Sequence, residues 1–489
     1  MIKLSQKLLF VFLLVTLRLH SQEFTGIGTS NYSGVNSVMV NPSLTLLQQS
    51  WLDIRLAGAG IFIENNFVYI PRSDFNLTDL LKKNYQFPRY GEYERPILAN
   101  GGKDFYHAYL DSRILLPAIL YADMSRRFAV ALSIQSRFAG AADRIPYDVA
   151  NFGYYGLEYS RQHNIEYNDY NISSSGLAWS EIGATVAGVL KRERFDLWTA
   201  GLTVKYLLGH SGFYAKVDNI RYVVLNDSTV DIRNLTGTAA YAAPMDYTTN
   251  SFPGGQSYIQ GKGIGVDLGV TFLKTHREIK RLVPQQVCAT NFDDYVWRLG
   301  ISLIDLGMIS FDRHARKHAF LNASYFWENA NNLSYTYFQE AVDDFSNRLT
   351  GSPTGSLIDT AFSIGLPTAL SIQYDRQLQH HWYFFAGIVK GLPLLGDAAV
   401  KRPDQLMLIP RYETRYFEAS FPLTLYRFVK PRLGLALRLG TFTIGTDNLG
   451  GFIRQGNLKS ADLYFSLRIS LRKGHCWRKK HSDPCFDTF

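Results

Sequence analysis

Charged residues spaced two apart recur along this chain, as in Asp53-Ile54-Arg55 and Asp111-Ser112-Arg113. In an extended strand successive side chains turn to opposite faces, so such pairs share one face. Reading the parity of each apolar alternation collects a larger set on that same face: Asp53, Arg55, Asp111, Arg113, Arg137, Glu181, Lys205, Asp267, Arg298, Asp375, Glu418, Arg438 and Arg468. Cations and anions nearly balance. The chemistry on offer is ion pairing in an enclosed polar space. An isolated charge in a narrow, low-dielectric interior is costly, so these groups are expected to pair across neighbouring strands. The plain reading is a network that fills and rigidifies a closed barrel. The functional reading is a conduit whose charges select a solute.

Bond-making chemistry is poorly supported. His107, His210 and His381 have no nucleophile or acid at a telling spacing, and His380-His381 falls in a tight turn where solvation suffices. GKGIGVDLG lies inside a strand pattern with no helix after it, so it is not read as a phosphate loop. Cys288, Cys476 and Cys485 are too few for a disulfide scaffold and fit no zinc module. Cys476 and Cys485 could pair in the tail; unpaired thiols are an equal alternative. His475 and His481 beside them could offer weak metal ligands, but a basic tail is the simpler reading. The chain is therefore expected to be no enzyme, with no cofactor and no metal.

The elements that carry the charges are strands. In ADLYFSLRISL, Leu463, Phe465, Leu467, Ile469 and Leu471 take one face and Asp462, Tyr464, Ser466, Arg468 and Ser470 the other. RLGLALRLGTFTIG repeats the pattern: Leu433, Leu435, Leu437 and Leu439 oppose Gly434, Ala436, Arg438 and Gly440. An arginine among glycines opposite four leucines suits a barrel with lipid outside and a polar lumen. Trp51, Trp179, Trp198, Trp297 and Trp382 fall at or near strand ends, as in an aromatic girdle. The fold class expected is all-β: an antiparallel transmembrane barrel of about 12–14 strands, with long extracellular loops. The reading counts roughly twelve, and weak strands inside the third or fourth loop would raise it to fourteen.

The 489 residues include 30 Tyr and 32 Phe and are 46% hydrophobic, too apolar for disorder. The net charge of +9 is scattered rather than patched, which argues against a nucleic-acid partner and fits anionic lipid or simple solubility. Residues 1–21 read as an export signal, with Lys3 and Lys7 before the apolar run Leu8–Leu17 and Ser21 at the cleavage point. Residues 22–50 read as a hatch or leader segment containing the turn Asn41-Pro42, whose Val38, Val40, Leu44 and Leu47 need a place to bury. The barrel is expected over 51–471 and a basic periplasmic tail over 472–489. Four long loops are expected, around 71–104, 139–175, 211–256 and 313–360, the last with a helix at Tyr337–Leu349.

Asn41-Pro42-Ser43 just before the first strand resembles the Asn-Pro-Ala element of fatty-acid-transporter-like (FadL-like) barrels, with Ser43 in place of the alanine. GKGIGVDLGV, RLGISLIDLG, IPRYETRYFEASFPLTLY and LGLALRLGTFTIGTDNLGG together resemble a Bacteroidota family of outer-membrane barrels without assigned function. The FadL-like resemblance implies a fourteen-strand barrel with an N-terminal hatch, in the outer membrane of a Gram-negative bacterium. The expected partner is outer-membrane lipid, with a small solute, hydrophobic ones included, passed or bound. The alternative is a closed barrel acting as scaffold or surface-interaction protein through its loops or tail, with its protein partner unknown.

Overall fold

A computed structural model describes residues 25–75, 77–82, 97–123, 126–252, 257–276, 295–453 and 456–471. The expected signal segment, Cys288, the basic tail and the Cys476–Cys485 pair lie outside the described residues.

Fourteen antiparallel strands close into one barrel. They are β1 (Leu52–Asn65), β2 (Phe105–Ala122), β3 (Phe128–Pro146), β4 (Glu166–Glu193), β5 (Asp196–Asn226), β6 (Gly261–Thr275) and β7 (Tyr295–Phe311). Next come β8 (Phe362–Gly365 with Ala369–Gln379), β9 (Trp382–Gly391), β10 (Gln405–Glu413) and β11 (Phe417–Ser420 with Leu423–Tyr426). The last are β12 (Lys430–Leu433 with Leu435–Leu439), β13 (Phe442–Thr446) and β14 (Ser460–Leu471). Each pairs with its sequence neighbours, and β14 closes on β1 with Asp53 opposite Ser470 and Ile54 opposite Ile469. No helix among the described residues is long and apolar enough to cross a membrane.

Alternation decides which side chains point out of the barrel. Ile119, Leu132, Ile182, Leu202, Leu268, Ile301, Ile388, Leu423 and Ile444 are all exposed on the outer wall. Left in water, that band would cost far more than a monomer tolerates; against hydrocarbon it costs nothing. Trp51, Trp198, Trp297 and Trp382 sit at the end of the wall that carries the short turns, with Trp198 and Trp382 exposed. Trp179 corrects the girdle assignment. It shares Glu181's parity, lies inside β4, and is wholly buried with its Nε1 donating to Glu181 Oε2 at 2.8 Å.

The count of twelve falls short for a physical reason, and the loops are not where the difference lies. The stretch 405–426, read as one strand, turns at 414–416 into β10 and β11. The stretch 430–446 turns at Gly440-Thr441, with Gly440 at φ +59°. In each case the outward residues change from one parity to the other: Leu437 and Leu439 before the turn, Phe442 and Ile444 after it.

β4 and β5 run 28 and 31 residues, roughly 90 Å and 100 Å of chain at the usual rise. That far exceeds a bilayer. Beyond Gly209, β5 leaves β6 and pairs instead with Thr229–Ala242, which pairs with Ala315–Trp327. Much of the second, third and fourth expected loops is therefore sheet standing above the rim. The helix Phe338–Thr350 packs on it through Phe345 against Phe320 and Trp327, and Glu340 caps its start by accepting from the Thr336 and Tyr337 amides.

Candidate functional site

The lumen holds three stacked layers. Nearest the short turns lies residues 25–50, almost all buried within the wall. Two 3₁₀ turns, Gly34–Met39 and Pro42–Leu47, give this inner segment its shape. Asn41 caps the second: its Oδ1 accepts from the Ser43 amide at 3.0 Å, and proline follows, needing no donor. The same Asn41 donates to Gln373 Oε1 at 3.0 Å, and Ser43 Oγ lies 2.6 Å from Thr271 Oγ1. The turn is thus tied to β8 and β6.

The wall makes room for it with glycine. A β-carbon on Gly269 would stand 2.0 Å from Asn41 Oδ1, and one on Gly201 would stand 2.5 Å from the Pro42 carbonyl carbon. On Gly300 it would meet the Asn41 amide nitrogen at 3.0 Å. These residues lie on the adjacent strands β5, β6 and β7, so three missing side chains form one seat.

Ion pairs hold the rest of the segment. Asp53 receives Arg468 at 3.0 Å and the Val35 amide at 3.0 Å, while Arg468 also donates to the Tyr32 carbonyl at 2.7 Å. Arg298 and Asp375, directly opposed on β7 and β8, pair at 2.6 Å. Arg411 joins Asp375 at 2.9 Å and Glu413 at 2.7 Å. Glu413 in turn accepts from Asn31 Nδ2 at 3.0 Å, and Arg298 reaches the Thr29 carbonyl at 2.7 Å. Glu418 and Arg438, opposed on β11 and β12, pair at 3.0 Å, with Arg438 over the Tyr32 ring.

Arg55 departs from the pairing rule. Beside it the β1–β2–β3 ladder breaks at a bulge around Leu116-Pro117, where proline brings no amide hydrogen. Arg55 donates to the Leu116 carbonyl at 3.1 Å, the Ile134 carbonyl at 3.4 Å and Asn36 Oδ1 at 3.2 Å. It supplies the hydrogen bonds that the interrupted wall lacks.

The middle layer is a charge cluster. Asp305 binds Lys205 at 2.7 Å, Arg137 at 2.9 Å and Arg402 at 3.4 Å. Lys205 also binds Asp267 at 2.8 Å, and Glu181 lies 3.8 Å from both Lys205 and Arg137. Arg113 and Asp111 pair at 3.1 Å on the edge of this group. A narrow cleft of about 20 Å³ lies between the cluster and Val35, Val38 and Met39 of the inner segment.

The outer layer sets an apolar group beside a buried ion cluster, in which Glu64 pairs with Lys430 and Arg432 and Arg432 lies 4.1 Å over the Tyr426 ring. Phe62, Tyr109, Trp179, Leu207, Phe311, Phe362, Leu366 and Tyr426 form one buried group. The loop 392–404 folds inward and adds Val400 to it. Asp397 pairs with Lys317 at 2.8 Å and Lys401 with Asp143 at 3.0 Å, fixing that loop. Beneath it a second, narrow cleft of about 40 Å³ is lined by Phe62, Tyr109, Ala139, Pro367 and Val400, with Lys401 and Arg402 at its polar side.

Parity reasoning missed Asp305, Arg402, Arg411 and Glu413. Asp305 sits at a bulge, φ +57°, where the β6–β7 register slips between Leu303 and Leu306 and an extra residue turns inward. Arg411 and Glu413 share the parity of the buried Met407 and Ile409, so the correct turn at 414–416 would have revealed them. Arg402 comes from a loop, where no period exists to read. Of the histidines singled out, His210 has its Nε2 2.8 Å from Ser180 Oγ, His107 has its Nε2 3.8 Å from Glu64 Oε1, and His381 meets the Tyr412 ring edge-on in a turn.

A FadL homologue of Pseudomonas aeruginosa has 9% identity, covers 92% of this chain and 98% of its own, and superposes with a TM-score of 0.40. For the toluene transporter TodX of Pseudomonas putida the values are 9%, 89%, 93% and 0.34. For the translocator domain of the autotransporter NalP from Neisseria meningitidis they are 8%, 86%, 89% and 0.28. No curated protein matches the sequence. Residues 59–447, most of the barrel, match the family of unknown function DUF5723, and the chain belongs to that family.

Proposed function

We propose that the protein is an outer-membrane barrel of a Gram-negative envelope in which residues 25–50 act as a hatch. A small, at least partly apolar solute binds in the outer cleft and passes inward when the hatch shifts. The reading rests on how the inner segment is attached. Besides the apolar contacts of Val35, Val38, Leu44, Leu46 and Leu47, it is tied to the wall by hydrogen bonds and ion pairs in a glycine seat, and the outer cleft above it has an apolar lining of Phe62, Tyr109 and Val400. Polar attachments can be exchanged for water one at a time, which suits a part that moves. The reading gives no catalytic role to the lumen carboxylates Asp305, Asp375 and Glu418, because neighbouring cations engage each of them.

Purified protein in detergent should bind radiolabelled naphthalene saturably and in competition with unlabelled solute, and Val400→Trp should fill the cleft and abolish that binding. Absence of saturable binding in the unaltered protein would overturn the proposal. It would leave the second reading, a closed scaffold, which the sheet standing above the rim favours.

A further inference from the structure

The outward face of the wall carries a row of polar side chains on β3, β4 and β5. Ser136 and Ser180 are directly opposed, with their hydroxyl oxygens 2.7 Å apart. His210 lies beyond them, its Nε2 2.8 Å from Ser180 Oγ. The His210 Nδ1 is 3.3 Å from the Tyr258 carbonyl oxygen. A carbonyl only accepts, so Nδ1 carries the proton and Nε2 is left as a base facing the serine hydroxyl. A bulge brings His210 there: the β4–β5 register passes from Ala178–Ser211 to Trp179–Gly209 and leaves His210 as the extra residue. A nucleophile, a base in hydrogen-bond contact with it and a group that orients the base are the parts of a covalent acyl-transfer site.

The position on the wall points to the substrate. From Trp198, at the short-turn end, to His210 is twelve residues, about 40 Å of strand. At the tilt of a membrane barrel that is about 30 Å of height, just past an apolar band of about 25 Å. Tyr258, 69% exposed, stands where an interfacial aromatic belongs. The site therefore meets the ester level of the outer leaflet. On its membrane side, Ile134, Ile182, Tyr206 and Ile264 form a row across four adjacent strands, a track for an acyl chain. Leu208 opposes Ser180, and Lys262 opposes Leu208 from β6. Two strand spacings put the exposed Lys262 about 10 Å from Ser180, where it can pair with the phosphate of a lipid whose ester reaches the serine.

We propose that Ser180 and His210 form an esterase site that cleaves acyl esters of phosphate-bearing lipids in the outer leaflet. Ser180 Oγ attacks the ester carbonyl carbon while its proton passes to His210 Nε2. The oxyanion forms within reach of the Ser136 hydroxyl. The bond to the alcohol oxygen then breaks, and that oxygen takes the proton from His210, leaving an acyl-serine. Water loses a proton to His210 and attacks the acyl carbon; the fatty acid departs and Ser180 regains its proton. The site lies on the outside of the wall, so it stands apart from the hatch, and neither depends on the other.

A fluorophosphonate reports an activated serine without any knowledge of the substrate. Full-length protein in detergent should take up one such adduct, located on Ser180 by mass spectrometry. Ser180→Ala should abolish it, and His210→Ala should slow labelling roughly a hundredfold or more. Heat-dependent gel migration would show the barrel intact in both variants. In mixed micelles the unaltered protein should release fatty acid from phosphatidylethanolamine, from lipid A or from both, which identifies the source of the ester. No adduct at Ser180, labelling indifferent to His210→Ala, or an adduct without fatty-acid release from either lipid would overturn the proposal.

Discussion

Asp305 carries more of the interior than any neighbouring residue, because three cations converge on it. Removing its charge leaves Arg137 and Lys205 buried without full compensation. Loss of one partner from a buried ionic group costs about 3–5 kcal/mol. Asp305→Asn should therefore lower stability by that order in urea titration of protein folded into vesicles, with the barrel still formed. Gly269 tests the seat instead. Gly269→Val places carbon where Asn41 Oδ1 now lies, so the inner segment must lift. The expected result is faster hydrogen exchange over residues 36–48 with the strand amides unchanged; uniform exchange in both proteins would refute the seat. At this scale the sequence was informative wherever alternation ran unbroken: Arg298, Asp375, Glu418 and Arg438 could be placed inside from parity alone. Asp305 could not, since the bulge that turns it inward has no signature in residue type.

Strands are legible when their period is long, and turns are legible when they carry glycine or proline. The turn at 440–441 has a glycine, yet the strands around it are strong enough to read as one. The useful signal was the change of parity in the outward residues, which a two-residue turn imposes. Gly440 has φ +59°, a conformation that costs an ordinary side chain about 1–2 kcal/mol. Gly440→Val should lower folding stability by about that much or slightly more, read from the urea midpoint. The lipid-facing side has its own test. Ile182 is exposed in the middle of β4, opposite Ile134 and Tyr206, and Ile182→Arg should cost about 2–4 kcal/mol on folding into bilayers. A negligible change would mean that this surface does not meet hydrocarbon. The outer extension was the hardest element to foresee. Its strands alternate less cleanly because they are covered by a helix and partly wet, so they read as loop.

On the scale of the whole molecule, the layers form a sequence from outside to inside: a cleft lined by Phe62, Tyr109 and Val400, a charge cluster, then a segment anchored by Val35, Val38, Leu44, Leu46 and Leu47 in a glycine seat. Arg402 ties the inward loop 392–404 to Asp305, and the cluster around Asp305 borders the cleft facing Val35 and Val38. The outer loop and the inner segment therefore touch a common set of residues. The burial of residues 25–50 inside the barrel needed no long-range pattern to foresee, because an apolar stretch placed before a barrel has few sites for burial except the lumen. What could not be read was its seat, since the glycines that form it are far apart in the chain. The central claim is that the inner segment is the barrier and that its displacement opens the lumen. Ser43 Oγ and Thr271 Oγ1, 2.6 Å apart, mark the place for a reversible lock. The decisive measurement is planar-bilayer current through Ser43→Cys/Thr271→Cys protein whose Cys288, Cys476 and Cys485 are replaced by serine. The account predicts silence when the pair is oxidised and recurrent openings after reduction; current that reduction leaves unchanged, whether steady or absent, would contradict it.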